Sequence, residues 1–179
     1  MKQLKNVVGI KNPYSRRILT NVIGKDVLRV LAQTPQNLGR VTKGLTSAQL
    51  RRSIAKGKWS ITQIMAHLCD AEVVLAFRLR MVLSDSGTRI QAYDQEKWAR
   101  HLKYEKANFA KQLRLYASLR QHHISLFRSL TPAEWRRYGM HEERGKETLE
   151  RLVQMYAGHD LNHYKQIKQL ATSLSKKSS

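Results

Sequence analysis

Four stretches of the chain repeat apolar residues every three or four positions, which is the spacing of an amphipathic helix. They begin at Asp26, at Ser60, near Asn108 and at Thr148. Their apolar positions are, in chain order, Val27, Leu31, Leu38, Val41 and Leu45; Ile64, Leu68, Ala71, Leu75 and Leu79; Phe109, Leu113, Tyr116, Leu119, Leu126 and Leu130; Leu149, Leu152, Tyr156, Ile167 and Leu170. Because each stretch is long, has one apolar face and lacks a strand pattern, the sequence predicts an all-α four-helix bundle.

Capping signals define several helix ends. Ser60-Ile-Thr-Gln63 has the form of a capping box, in which each side chain binds the other residue's backbone N–H. The same pattern at residues 46–49 and 131–134 predicts two short extra helices. Pro35 interrupts the first long stretch. It either kinks one helix or starts a second.

The remaining chain divides by its weak periodicity. We predict an irregular N-terminal arm over residues 1–25, the bundle over residues 26–172 and a flexible basic tail over residues 173–179. Residues 88–105 lack a clean period and are predicted to form a long, partly ordered loop, a feature that often borders a functional opening. The polar residues 139–146 are predicted to form another loop.

An excess of basic residues is the main compositional feature. The 179 residues include 33 Lys and Arg but 13 Asp and Glu, which gives a net charge of +20. The basic residues are dispersed, so one interpretation is a solvated basic surface. The other is a functional face for nucleic acid or for small anionic substrates. Since no nucleic-acid-binding motif accompanies the charge, nucleic acid is the less favoured partner.

Neither a membrane span nor a secretory leader is predicted. No apolar run approaches the ~18 residues that a membrane-spanning helix needs, and Met1-Lys-Gln-Leu-Lys5 lacks the apolar core of a signal peptide. Cys69 is the single cysteine and therefore has no partner for an internal disulfide, as is usual in a reducing compartment. We expect a cytoplasmic protein without membrane contact.

Three histidines occupy positions where the helical stripes would otherwise carry leucine. His159 and His163 are four residues apart, or about 40° around a helix, so both rings can bind one ion. His67 lies between Ile64 and Ala71 on the second helix. A buried neutral histidine is unfavourable unless its nitrogens find partners. One divalent metal ion would supply a common partner, and three histidines with unrelated partners are the alternative.

Three imidazole ligands leave a coordination position open, which is the pattern of a catalytic site rather than a structural one. That position could hold a water or a substrate thiol. Asp70 and Asp160 are candidate acceptors for the second ring nitrogens. Glu72 is a candidate general acid or base, only through its proximity to the motif around His67. Arg78 lies about three turns along the helix from His67. It could hold an anionic substrate group or form a surface salt bridge.

The other potential ligands are disfavoured. Cys69 points about 200° away from His67 around the helix. The other four histidines lie outside the apolar stripes, and we predict solvated or capping roles for His101, His122, His123 and His141.

Several segments, in this order, resemble the DinB/YfiT-like superfamily of metal-binding four-helix bundles. The resemblance extends over about residues 26–172 and is carried by Gly57–Glu72 with its tryptophan and first histidine, Tyr93–Trp98, Ser129–Trp135, Gly145–Leu149 and His159–His163. Order and spacing together make it specific.

This resemblance implies an up-down-down-up bundle in which His67, His159 and His163 hold nickel, zinc or a related divalent ion. It also implies frequent homodimers. Members are described as metal-dependent hydrolases, and some branches transfer thiols such as bacillithiol, mycothiol or glutathione to electrophiles. We therefore predict a metal-dependent hydrolase or thiol S-transferase acting on a small molecule, and an anionic thiol would suit the basic surface. The alternative is a non-enzymatic basic metal-binding or stress-response bundle that contacts nucleic acid.

Overall fold

Helices dominate the structure, a computed structural model that describes residues 1–175. They are, in chain order, α1 (Pro13–Thr20), α2 (Val27–Val41), α3 (Ser47–Arg51), α4 (Ile61–Ser84), α5 (Gln95–His101), α6 (Phe109–Ser129), α7 (Pro132–Arg136) and α8 (Leu149–Ser175). A short 3-10 turn covers Tyr104–Lys106. Helices α2, α4, α6 and α8 form the predicted four-helix bundle, and the three predicted capping boxes are all present.

Two apolar clusters fill the two ends of the bundle and reveal its topology. One contains the N-terminal halves of α2 and α8 together with the C-terminal halves of α4 and α6. The other contains the opposite half of each helix. Helices α2 and α8 are therefore parallel to each other and antiparallel to α4 and α6. This is the up-down-down-up order that the family resemblance implies.

A polar layer separates the two apolar clusters at the middle of the bundle. It consists of charged and imidazole side chains from three of the four long helices, namely His67, Glu72, Arg120, His123, His159 and Asp160. Such groups are unfavourable inside a protein unless they pair with each other or with a ligand. The middle of the bundle is therefore the candidate functional region.

Helix α2 is one continuous helix, although Pro35 lies inside it. Proline has no backbone N–H, so it cannot donate to the carbonyl oxygen of Leu31 one turn earlier. Arg120 Nη1 donates to that oxygen instead, at 3.3 Å. A side chain of α6 thus replaces the missing helical hydrogen bond.

A small three-stranded sheet lies where the sequence predicts loops. Strand β1 (Arg89–Ile90) pairs in parallel with β2 (Tyr138–His141), which pairs antiparallel with β3 (Gly145–Thr148). The segment 88–105, predicted to be a partly ordered loop, contains more regular structure than expected, namely β1, α5 and the start of the 3-10 turn. Residues 139–146 belong to the β2–β3 hairpin. Strands of two to four residues are too short to show a clear alternation.

The predicted irregular arm contains a regular helix, α1, which packs on α8. Asn12 caps α1 by accepting a hydrogen bond from the N–H of Ser15 at 2.9 Å, and Pro13 takes the first helical position. Ile18 and Leu19 are fully buried. Two helical turns carry too few apolar positions to establish a period, so the sequence pattern misses this helix.

The chain end also differs from the prediction. Residues 173–175, assigned to the flexible tail, continue helix α8, and residues 176–179 lie outside the described part of the chain. Among the helices of residues 1–175, none combines the length and the apolar character needed to cross a membrane.

Gly158 allows α1 to approach α8 closely. A Cβ atom at this position would lie 2.3 Å from the carbonyl oxygen of Ile18 and 2.9 Å from its carbonyl carbon. Asn21 adds a hydrogen bond from its Nδ2 to the Gly158 oxygen, at 3.2 Å. Backbone atoms cannot rotate away as a flexible side chain can, so only glycine fits here.

We expect Gly158→Ala to lower the free energy of unfolding by about 1–3 kcal/mol, the range for overpacking. For a chain of this size that lowers the Tm by roughly 2–10 °C. Gly39→Ala is the matched control, because its Cβ would meet Leu113 at an ordinary 3.7 Å inside helix α2. Thermal unfolding followed by circular dichroism measures both. Equal Tm values for the two variants would contradict the close approach.

Candidate metal centre

Three histidine side chains meet in the polar layer. His67 of α4 and His159 and His163 of α8 each offer one ring nitrogen, and these nitrogens lie within 4.8 Å of one another. His67 Nε2 is 2.9 Å from His159 Nε2. The ring centroids of His159 and His163 are 4.5 Å apart, and each lies 5.0 Å from that of His67. The structure thus brings together the three histidines that the helical stripes single out.

Burial keeps these imidazoles neutral. It lowers the pKa of His67 to about 3, with His163 adding to the effect. Burial also lowers the pKa of His163 to about 4, although a hydrogen bond to Gln166 opposes the change. The pKa of His159 falls well below its usual value, first through burial and then through His163 and His67. Since a metal ion binds the neutral form of imidazole, the donor set fits a divalent ion.

The second ring nitrogens have different surroundings. His163 Nδ1 lies 3.0 Å from Gln166 Oε1. The amide oxygen can only accept, so Nδ1 carries the proton and Nε2 keeps its lone pair for a ligand. His67 Nδ1 is buried without a hydrogen-bond partner among the described residues. The ring of Trp59 packs at 5.1 Å from the His67 ring and covers it.

The predicted acidic candidates are engaged elsewhere. Asp70 accepts a hydrogen bond from the hydroxyl of Tyr104 at 2.6 Å, and burial raises its pKa. Glu72 and Asp160 both bind Arg120. None of the three carboxylates lines the cavity beside the histidines.

Arg120 is the centre of a buried ion network. Its guanidinium group donates to both carboxylate oxygens of Glu72, at 2.9 and 2.5 Å, and to Asp160 Oδ2 at 2.5 Å. Tyr116 accepts a further hydrogen bond at 2.9 Å. His123 Nδ1 lies 2.6 Å from Glu72 Oε1. The prediction of a solvated or capping role for His123 is therefore wrong, because this side chain is fully buried.

The same network lowers the pKa of the Glu72 carboxyl group. Burial alone would raise this pKa, but Arg120 and then the hydrogen bond with His123 outweigh burial. The ionised carboxylate is the form that binds a guanidinium group, so Glu72 holds α4 against α6. Asp160, which immediately follows His159, attaches α8 to the same guanidinium group. The network therefore fixes the relative positions of the helices that carry the three histidines.

A cavity of about 250 Å³ opens beside the histidine cluster. Its walls combine two of the clustered histidines with tyrosine, arginine and other side chains from α1, α4, α8 and the segments around the sheet. They are Asn12, Tyr14, His67, Ala71, Arg78, Ala92, Tyr93, Gln95, His141, Glu143, Arg144, Met155, Tyr156 and His159. This volume lies just below the ~300–1,000 Å³ typical of sites for drug-sized ligands, so the cavity suits a small molecule.

Two cavity residues, Arg78 and His141, are buried. For Arg78 this excludes the surface salt bridge, which is one of its two predicted roles, and no salt bridge to it exists within residues 1–175. His141, predicted to be solvated or capping, is only 3% exposed. Its pKa falls to about 4 through burial and then through Arg144. The sequence offers no signal for His141, because its place on the cavity depends on strand β2.

Cys69 is not part of the histidine cluster. Its thiol is buried, and burial raises its pKa to about 12, with Asp70 and Glu72 adding to the effect. A thiol in this state is neither a nucleophile nor a metal ligand near neutral pH. The predicted exclusion of Cys69 as a ligand agrees with this environment.

The bundle and its cavity define a class of helical protein with a buried cluster of three histidines beside a binding cavity. The family comparison agrees with this description, since residues 31–167 match the DinB superfamily. The chain therefore belongs to the DinB superfamily. This result confirms the family resemblance found in the sequence.

The relatives extend over most of the chain. "Putative metal-dependent hydrolase OB0782" from Oceanobacillus iheyensis is 28% identical over 159 residues, which cover 89% of this chain and 90% of that protein. "Putative metal-dependent hydrolase YfiT" from Bacillus subtilis is 27% identical over 146 residues, which cover 80% of this chain and 82% of that protein. The solved structure of YfiT superimposes on this structure with a TM-score of 0.77 and 25% sequence identity, and the match covers 83% of this chain and 86% of the YfiT chain. YfiT is described there as a "probable metal-dependent hydrolase with an unusual four-helix bundle topology".

Proposed function

We propose that the protein is a metal-dependent enzyme whose single divalent ion, zinc or nickel, is held by His67, His159 and His163. The reaction is either hydrolysis or the transfer of a low-molecular-weight thiol to an electrophile. The observation that supports this proposal is the cluster of three neutral imidazoles, whose ring nitrogens lie within 4.8 Å of one another beside a cavity. The names of the relatives favour the hydrolytic reaction.

A divalent ion bound by three imidazoles supplies Lewis acidity, which lowers the pKa of a bound water or thiol. The protein supplies the geometry. Gln166 sets the tautomer of His163. Trp59 packs against the ring of His67, and Arg120 fixes the helices that carry the three histidines.

The cavity walls bind and orient a substrate rather than accept its proton. Among the described residues, Glu143 is the carboxylate that lines the cavity, and it is exposed. The other polar side chains include Tyr93, whose pKa rises to about 12 through burial despite the opposing effect of Arg78. Its hydroxyl group stays protonated at neutral pH and can donate a hydrogen bond.

Removal of the metal is expected to abolish activity. We expect chelator-treated protein to be at least about 100-fold less active than protein reloaded with zinc or nickel, because the ion would supply the Lewis acidity that activates the water or the thiol. Two assays separate the reactions: hydrolysis of p-nitrophenyl acetate, and consumption of glutathione with monochlorobimane. Buffer containing the same free metal is the control. Equal rates for chelated and reloaded protein, or no rate above the control in either assay, would contradict the proposal.

A small-molecule substrate is favoured over nucleic acid, because a cavity of about 250 Å³ cannot admit a base-paired helix. The homodimer and the cytoplasmic location remain predictions. Sedimentation velocity of the purified protein measures whether it forms the homodimer.

A further inference from the structure

Arg78 is a buried cation to which no anion of residues 1–175 is paired. Two arginines are buried in the described chain, and both belong to the bundle. Arg120 binds the carboxylates of Glu72 and Asp160. Arg78 is 7% exposed, and no carboxylate within residues 1–175 forms a salt bridge with it. Because burying an unpaired charge is strongly unfavourable, the site has a place for a negative group.

Neutral groups hold the Arg78 side chain in position. Its Nη2 donates to the carbonyl oxygen of Gln91 at 2.5 Å, and its Nη1 lies 3.5 Å from the Tyr156 hydroxyl. The centre of the guanidinium group is 5.8 Å from the centroid of the Tyr93 ring. Guanidinium has five N–H donors, so these two hydrogen bonds leave donors free. A planar guanidinium fixed in this way is suited to binding a carboxylate or phosphoryl group through two hydrogen bonds.

His141 provides a second unused donor on the same cavity. Its Nδ1 accepts a hydrogen bond from the N–H of Glu143 at 3.2 Å. The neutral ring therefore carries its proton on Nε2. That Nε2 is buried and has no hydrogen-bond partner among the described residues. A buried donor is normally paired, so its isolation indicates an acceptor that arrives with a ligand.

These two donors line the same cavity as His67 and His159. Tyr156, which contacts Arg78, lies one helical turn before His159 on α8. The cavity is small, at about 250 Å³. A compact ligand in this cavity can therefore contact Arg78 and His141 as well as the histidine cluster.

We propose that Arg78 and His141 form an anion subsite, and that the substrate carries a carboxylate or phosphoryl group which binds there. The subsite itself requires no metal. Its role in selecting the substrate rests on the proposed function, because that role assumes that the reacting bond lies at the histidine cluster.

The test measures binding of two anionic probes, acetate and methylphosphonate, to chelator-treated protein by isothermal titration calorimetry in 150 mM NaCl. The salt screens the bulk effect of the +20 charge. Acetamide serves as the neutral control. We expect at least one anion to bind while acetamide does not, and the tighter probe identifies the charged group. Failure of both anions to bind would overturn the proposal.

Variants locate the binding site. We expect Arg78→Met to lower the affinity for the tighter-binding probe at least tenfold, and His141→Phe to lower it severalfold. Arg80→Met is the matched control, because Arg80 is exposed on the same helix and should leave the affinity unchanged. Equal affinities for the wild type and Arg78→Met would overturn the proposal, as would an equal loss in Arg80→Met.

Two further measurements keep the result interpretable. If Arg78→Met does not fold, Arg78→Lys replaces it. The lysine variant retains the positive charge but loses the planar guanidinium group that donates two parallel hydrogen bonds. We therefore expect its affinity for the anionic probe to lie between those of the wild type and a variant without the charge. Unchanged affinity in the lysine variant would overturn recognition through two guanidinium hydrogen bonds. Metal content of each variant, measured by elemental analysis, distinguishes the two proposals. Retained metal with lost anion binding supports the subsite, whereas anion binding without metal uptake would contradict only the proposed function.

Discussion

His159→Ala protein is expected to bind zinc at least about 100-fold more weakly than the wild type. Zinc binding at protein sites releases roughly 10–16 kcal/mol over about four ligands, so one ligand contributes about 3 kcal/mol. His159 is close to both of the other histidines, with its Nε2 2.9 Å from His67 Nε2 and its ring centroid 4.5 Å from that of His163. Competition with a chromophoric chelator measures the affinity, and elemental analysis measures the bound metal.

His122→Ala is the matched control for this experiment. His122 is exposed on α6 and contacts Arg80, away from the cluster. We expect this variant to bind zinc as the wild type does. Equal zinc affinity for His159→Ala and the wild type would refute the three-histidine site, provided that circular dichroism shows both to be folded.

Arg120→Met is expected to lower the free energy of unfolding by about 3–5 kcal/mol, the range for breaking a buried ion pair. The substitution leaves Glu72 and Asp160 as buried carboxylates without their cation. It also leaves the Leu31 carbonyl oxygen, which cannot pair with Pro35, without a donor. Urea denaturation followed by circular dichroism measures the change. We further expect weaker zinc binding, because the network positions α4 and α8.

Two variants separate charge from packing in this result. Combining Arg120→Met with Glu72→Gln and Asp160→Asn removes the unpaired charges and should recover part of the lost stability. Arg80→Met, on the exposed face of α4, should change the stability by less than about 0.5 kcal/mol. A loss below about 1 kcal/mol for Arg120→Met would show that the network does not hold the helices together.

The sequence predicts the bundle and the histidine cluster well because both depend on helical periodicity. An apolar residue every three or four positions identifies α2, α4, α6 and α8. The same helical spacing places His67, His159 and His163 on the faces that point toward the interior. The family resemblance adds the up-down-down-up order, which periodicity alone cannot supply. Metal binding itself remains a prediction that the arrangement supports.

Features that depend on tertiary contacts are not predictable in this way. His141 reaches the cavity because β2 pairs with β1, whose residues are about fifty positions away in sequence. Arg120 did carry a signal that the sequence interpretation missed. It lies four residues from each of the apolar residues Tyr116 and Ile124, which is the spacing of one helix face, so its charge needs a buried partner. Which carboxylates would supply that partner depends on the packing of α4 and α8.

Helix α1 gives the cavity a wall that can vary independently of the histidines. Asn12 and Tyr14 line the cavity, yet both precede residues 31–167, the part that matches the superfamily. Because Gly158 fixes where α1 crosses α8, substitutions at Asn12 and Tyr14 can change the shape of the cavity while the three histidines, Arg78 and His141 stay in place. Part of the cavity wall is therefore encoded outside the segment that carries the histidine cluster and the proposed anion subsite.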